Sequence, residues 1–243
     1  MVPERRIKLT GLFWAVVFLL SATIAHSQPS RTASAVSYLE RGNDWYAKGE
    51  PKKAIGDYDI ALSFDPLSAV TYHRRGVAWY VLGEFDKAQA DFDRALELNP
   101  HLTEAYVNRG GIKYARGDLE GTIRDNTRAI ELNPRLAQAY ANRGMALLDQ
   151  KELRRAKADF DRAIVLAPRV ADNYYYRGTI RFSNGDLEGA ISDYSTALKL
   201  NPGFAAAYGD RGSARQNRGD LEGASQDYAR ALELHPGLGC SPK

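Results

Sequence analysis

Apolar positions recur along this chain at helical rather than strand spacing. Within residues 69–102, AVTYHRRGVAWYVLGEFDKAQADFDRALELNPHL, Tyr72, Gly76 and Trp79 fall at i, i+4 and i+7, one face of a helix. Gly83 closes that helix, because glycine tolerates the left-handed backbone of a C-terminal cap. A second helical set follows, Ala88, Phe92, Ala95 and Leu96, and Pro100 stops it. Each predicted helix is about 13 residues long, too short to persist alone in water. The two must pack as an antiparallel hairpin, and such hairpins on each other.

The same outline recurs down the chain. Pro66, Pro100, Pro134, Pro168, Pro202 and Pro236 stand 34 residues apart. A period of that length marks a stacked array of supersecondary units. The units are 35–68, 69–102, 103–136, 137–170, 171–204 and 205–238, preceded by a leader (1–27) and a polar linker (28–34) and followed by a tail (239–243). Gly42, Gly76, Gly110, Gly144, Gly178 and Gly212 repeat in the first helix of each unit, and Ala61, Ala95, Ala129, Ala163, Ala197 and Ala231 in the second. Glycine inside a helix costs about 1 kcal/mol relative to alanine. Its retention implies that helix backbones approach closely there, with aromatic rings beside them.

The order Tyr72, Gly76, Trp79, Ala88, Phe92, Pro100 resembles the tetratricopeptide repeat (TPR), and the resemblance covers residues 35–238. It implies an all-α, right-handed solenoid of six helix-turn-helix repeats. It also implies a concave groove lined by the first helices and a role in binding other proteins. The chain departs from the family pattern in having Arg41, Arg75, Arg109, Arg143, Arg177 and Arg211 where leucine often precedes the glycine. The third unit is the least regular, with Lys113, Thr122 and Asn126 at framework positions, and Arg181 and Arg215 occupy the slot of Trp79. Units 1, 2 and 4 are expected to pack best, and Asn126→Tyr is expected to raise the melting temperature. A carboxylate-binding clamp found in one branch of the family does not carry over: Asn43 and Arg74 are suggestive, but Leu39 and Glu104 stand where lysines are needed.

Six copies in one chain separate two kinds of residue. Those present in every copy serve stacking. Sixteen residues after each ladder arginine stands an aspartate, Asp57, Asp91, Asp125, Asp159, Asp193 and Asp227, so inter-helix pairing is expected within 4 Å. The alternative is an arginine stripe that reads phosphates or carboxylates. Residues that vary lie one position along from the core stripe: His73, Val77 and Tyr80 in unit 2, and Tyr46, Tyr114, Leu148, Tyr175 and Phe182 in others. By the family's geometry this stripe faces the groove. Tyr46, Tyr80, Tyr114, Leu148 and Phe182 then form a mostly aromatic row ending at Gln216, with His73, Arg74, Val77 and Tyr175 beside it. Such rows suit extended peptides or helices. The alternative is that the rings pack between adjacent first helices.

The leader adds location. Arg5, Arg6 and Lys8 precede the apolar run Leu12–Leu20 and a small, polar stretch with cleavage sites after Ala25 or Ser27, the layout of a secretory signal peptide. The alternative is an uncleaved anchor over residues 9–25, 17 residues long, barely enough to cross a bilayer. Either reading places the array outside the cytoplasm, periplasmic or secreted, because the basic flank stays inside. The lone cysteine, Cys240, permits no intrachain disulfide.

Charge and chemistry change little further. Without the leader the chain holds 30 basic and 29 acidic side chains, a balance that gives no reason to expect nucleic acid or an anionic membrane as partner. His26, His73, His101 and His235 form no cluster with metal-ligand spacing. No phosphate loop, nucleophile elbow or zinc signature is present, so no cofactor or metal is expected. GDLEG at 117–121, 185–189 and 219–223 reads as turns and helix starts. The expectation is a non-catalytic scaffold that takes a peptide or protein in its groove. The alternative is a self-associating or envelope-assembly component engaged through the solenoid ends, where Tyr228, Leu232 and Leu234 keep the last helix apolar.

Overall fold

The computed structural model describes residues 31–235, so the leader, Pro236, Cys240 and the tail lie outside the described residues. Among the described residues there are twelve α-helices and no strand: α1 (Arg31–Ala47), α2 (Pro51–Phe64), α3 (Ala69–Val81), α4 (Phe85–Leu98), α5 (Thr103–Ala115), α6 (Leu119–Leu132), α7 (Ala137–Asp149), α8 (Leu153–Leu166), α9 (Ala171–Ser183), α10 (Leu187–Leu200), α11 (Ala205–Arg218) and α12 (Leu221–Leu234). Each odd-numbered helix packs on the even-numbered helix after it, and each even-numbered helix packs on the first helix of the next unit. First helices also touch one another, as α5 does α7 and α9 does α11, so they line one continuous face of the solenoid. The helix α1 includes 31–34, which the sequence pattern assigns to the polar linker. Those residues contain no helix breaker, and the Arg31 guanidinium donates to the Ser63 carbonyl (3.5 Å).

The repeated small residues hold the helices close. In unit 2 a Cβ added at Gly76 would lie 2.8 Å from the Phe92 ring, so the ring of the second helix rests directly on the backbone of the first. Phe92, Ala88 and Ala95 are fully buried beside it. The turn between the helices is equally regular. Gly49, Gly83, Gly117, Gly185 and Gly219 all take positive φ, and in unit 4 Lys151 takes the same conformation at φ 63°. A side chain there costs on the order of 1 kcal/mol. In the GDLEG copies the turn runs straight into a cap: the Asp118, Asp186 and Asp220 carboxylates accept from the backbone N–H of Gly121, Gly189 and Gly223 at 2.8–2.9 Å.

Unit 3 is built differently. Asn126, where the other units have Phe or Tyr, is fully buried. Its amide N–H donates to the Thr122 carbonyl (2.9 Å), while its Oδ1 is buried with no hydrogen-bond partner. Thr122, where most units have alanine, is also fully buried, and its hydroxyl lies within hydrogen-bond distance of the Gly110 and Asp118 carbonyls (3.2 and 2.8 Å).

Candidate functional site

The arginine ladder is a framework. In every unit Nε and Nη2 of the arginine grip the two oxygens of the aspartate sixteen residues on, at 2.5–2.9 Å. The aspartates are 3–5% exposed, so the pairs lie between the helices and not on a ligand surface. Nη1 reaches the other way, to the residue sixteen positions back in the preceding unit: Asp59, Asp93, Thr127, Asp161 and Ser195, at 2.6–3.1 Å. Each guanidinium also lies over the tyrosine three residues before it, from Tyr38 to Tyr208, at 4.8–5.8 Å from the ring centroid. One side chain therefore ties both helices of its unit to the unit before. The hydrogen bonds it donates to Asp91 and Asp59 hold the Arg75 guanidinium well above its ordinary pKa, against the opposing effect of burial. The second acceptor and the tyrosine are not anticipated from the sequence, although both also repeat every 34 residues.

Lys113, Arg181 and Arg215 join the same network. They reach Asp125, Asp193 and Asp227 at 2.9–3.0 Å, so in units 3, 5 and 6 the buried aspartate has two cations. Units 1, 2 and 4 have Trp45, Trp79 and Leu147 at that position.

The variable stripe lies along the first helices. Tyr80 is 42% exposed, with its ring against Phe85 (centroids 5.4 Å). Tyr46, Tyr114, Leu148 and Phe182 are half-buried, and so are Val77 and Tyr175. The inner edges of Tyr46, Leu148 and Phe182 pack on the core while their outer edges stay open. Arg74 is exposed. Neighbouring first helices are stitched across this face. The Tyr114 hydroxyl donates to Asp149 (2.7 Å) and the Tyr175 hydroxyl to Asp210 (2.9 Å), while the Asn108 amide N–H donates to His73 Nε2 (3.0 Å).

His73 is the residue whose position differs from expectation. It is 6% exposed and packs on Phe92 (centroids 5.7 Å), beneath the groove surface. Burial, with the Arg74 charge adding to it, pushes its pKa down to about 4, so it is a neutral acceptor that orients Asn108. Tyr175 likewise serves the seam between helices, against Tyr176, Tyr194 and Phe204. Burial raises the Asp210 carboxyl, an effect its bond from Tyr175 opposes.

Two open cavities lie along the face. One, of about 210 Å³, is lined by Asn43, Tyr46, Tyr58, Arg74 and Val77 between units 1 and 2. The other, of about 380 Å³, lies between units 4 and 5, with Ala141, Met145, Phe160, Val170 and Tyr176 among its walls. Met145 belongs to the variable stripe of unit 4, whereas Tyr176 is not among the sequence-based candidates, though the six-copy comparison aligns it with Arg74. Among the described residues no group of histidine, cysteine, aspartate and glutamate could hold a metal, and no helix is long and apolar enough to cross a membrane.

Fold and face together define a helix-turn-helix solenoid, a class built to present one long surface to a partner. The tetratricopeptide repeat family model matches residues 69–102, and a second model of the same description matches 142–203 and 175–238. The chain belongs to the tetratricopeptide repeat family. Among solved structures it is similar to PilF of Pseudomonas aeruginosa, with TM-score 0.77 and 19% identity over 85% of this chain and 94% of that one. It is also similar to MamA, with TM-score 0.61 and 27% identity over 72% and 98% of the two chains. YrrB, described as a TPR protein with an unusual peptide-binding site, aligns with TM-score 0.63 and 19% identity over 74% and 93%. No curated protein matches the chain in sequence.

Proposed function

We propose that this protein is a non-catalytic, exported interaction scaffold that takes a peptide or protein segment in the groove of its TPR array. One observation carries the reading: Tyr46, Tyr80, Tyr114, Leu148 and Phe182 form a row along the continuous face of first helices, with open cavities beside it. Rings with few rotors offer large contact area at low entropic cost. Export rests on the basic-then-apolar leader pattern of residues 1–27. The absence of convergent acid–base groups in the sequence supports a binding role over a catalytic one.

The test is comparative capture from the protein's own cells by wild type and by the Tyr80→Ala, Tyr114→Ala, Phe182→Ala triple variant, with folding checked by circular dichroism. Loss of the captured partner in the folded variant is the expected result. Undiminished capture would move the function to the ends of the solenoid.

A further inference from the structure

The groove carries an unbalanced charge on a nearly balanced chain. The three stripe positions of each first helix and three beside them (36, 40 and 47 in unit 1 and their equivalents) hold Glu40, Glu104, Asp149, Asp172 and Asp210, and a single cation, Arg74. None of the five carboxylates takes part in an ion pair among the described residues. Elsewhere most acids are ion-paired, the ladder aspartates with arginine and Glu97, Glu131 and Glu233 with arginines one turn away, while Asp44, Asp65, Asp118, Glu120 and Glu222 are scattered over the surface rather than gathered on one face. Four of the five groove acids, Glu104 through Asp210, flank the part of the row that runs from Tyr114 to Phe182.

We propose that the occupant of the groove is an extended, lysine- or arginine-rich peptide segment with interleaved apolar residues, its cations lying over units 3 to 6. The inference rests on the groove reading above and names its ligand class. Apolar side chains of the segment meet the rings and the cavity beside Met145, while its cations meet Glu104, Asp149, Asp172 and Asp210. Ring faces at Tyr114 and Phe182 add cation–π attraction. An acidic segment would meet four carboxylates that no cation neutralises, two of them hydrogen-bonded to tyrosine hydroxyls, and is repelled.

Two synthetic peptides test this, one alternating lysine with leucine and containing a proline to keep it extended, the other with glutamate in place of lysine. Binding is read by fluorescence anisotropy on the folded chain. The lysine peptide is expected to bind at least about tenfold more tightly, with the preference shrinking as salt screens the charges. Glu104→Gln and Asp172→Asn together remove two exposed acids that make no hydrogen bond among the described residues, and are expected to weaken lysine-peptide binding several-fold. A thermal melt of this variant guards against loss of fold, since Glu104 and Asp172 stand in first turns, where the helix dipole favours an acid. Equal affinity for the two peptides, preference for the glutamate peptide, or unchanged binding by the folded charge variant overturns the inference. If binding then still falls with Tyr80→Ala and Phe182→Ala, the groove stands and only its charge preference is lost. If neither peptide responds to those two substitutions, the groove reading falls with it.

Discussion

At the scale of single residues, the buried aspartates are the sensitive points, because a buried carboxylate stripped of its cation is costly. Asp159 has one arginine, Arg143, whereas Asp227 has two, Arg211 and Arg215, and both Arg143 and Arg211 reach only a neutral hydroxyl in the preceding unit. Arg143→Ala is therefore expected to cost about 3 kcal/mol and Arg211→Ala clearly less, as measured by urea unfolding. Equal losses would mean that the second cation contributes nothing. His73 titrates the other way from a paired group. Its folded pKa of about 4 lies below the ordinary value of 6.5, so the unfolded chain takes up a proton first as pH falls. Its contribution is complete above pH 6.5 and declines between 6.5 and 4, by about 3 kcal/mol in all. His73→Gln should flatten that part of the stability profile, and an unchanged profile would show that His73 does not set it. The Arg–Asp ladder is legible in the sequence because both partners repeat at one spacing. The burial of His73 is not, because it depends on Phe92 and Asn108 from different helices.

At the scale of the helix pair, the six units share one design with two variants. A ring from the second helix rests on the glycine of the first, and its para position meets the residue one place beyond that glycine. Tyr58, Tyr194 and Tyr228 donate hydroxyls to Asn43, Thr179 and Ser213 at 3.0–3.3 Å. Phe92 and Phe160 face Val77 and Met145, which have no acceptor to offer. Unit 3 has Gly111 at that position, so Phe suits the site better than the Tyr expected from sequence alone. Asn126→Phe with Thr122→Ala removes an unpaired buried oxygen and restores the ring and its space. The melting temperature is expected to rise by a few degrees, on the order of 1–2 kcal/mol. A fall would mean that Lys113 and Thr122 have already closed the gap. The irregularity of unit 3 is visible in the sequence. The choice between Phe and Tyr needs the partner position across the helices.

At the scale of the whole molecule, the arginine ladder differs between the inner joints and the first and last described units. The acceptor for the next unit's arginine is Asp59, Asp93, Thr127, Asp161 or Ser195 in units 1 to 5, whereas unit 6 has Ala229, with no acceptor in its side chain, at that position. At the other end Arg41 reaches no preceding acceptor among the described residues, and its side chain is 56% exposed against 15–22% for the other ladder arginines that form the bridge. A second copy placed head to tail would set Ala229 against Arg41 and leave the bridge unmade, although Leu232 (41% exposed) would find cover. The ends are thus less suited to continuing the stack than the joints inside it. The first-helix face is open along its length.

The central claim is that this face, and not the ends, receives the partner. Chemical-shift mapping of the isotopically labelled chain on addition of the captured partner tests it most directly. The account predicts that the largest shifts fall on first-helix residues around Tyr80, Tyr114 and Phe182, with α12 unmoved. Shifts concentrated on Leu221, Leu232 and the rest of α12, with the aromatic row undisturbed, would contradict it.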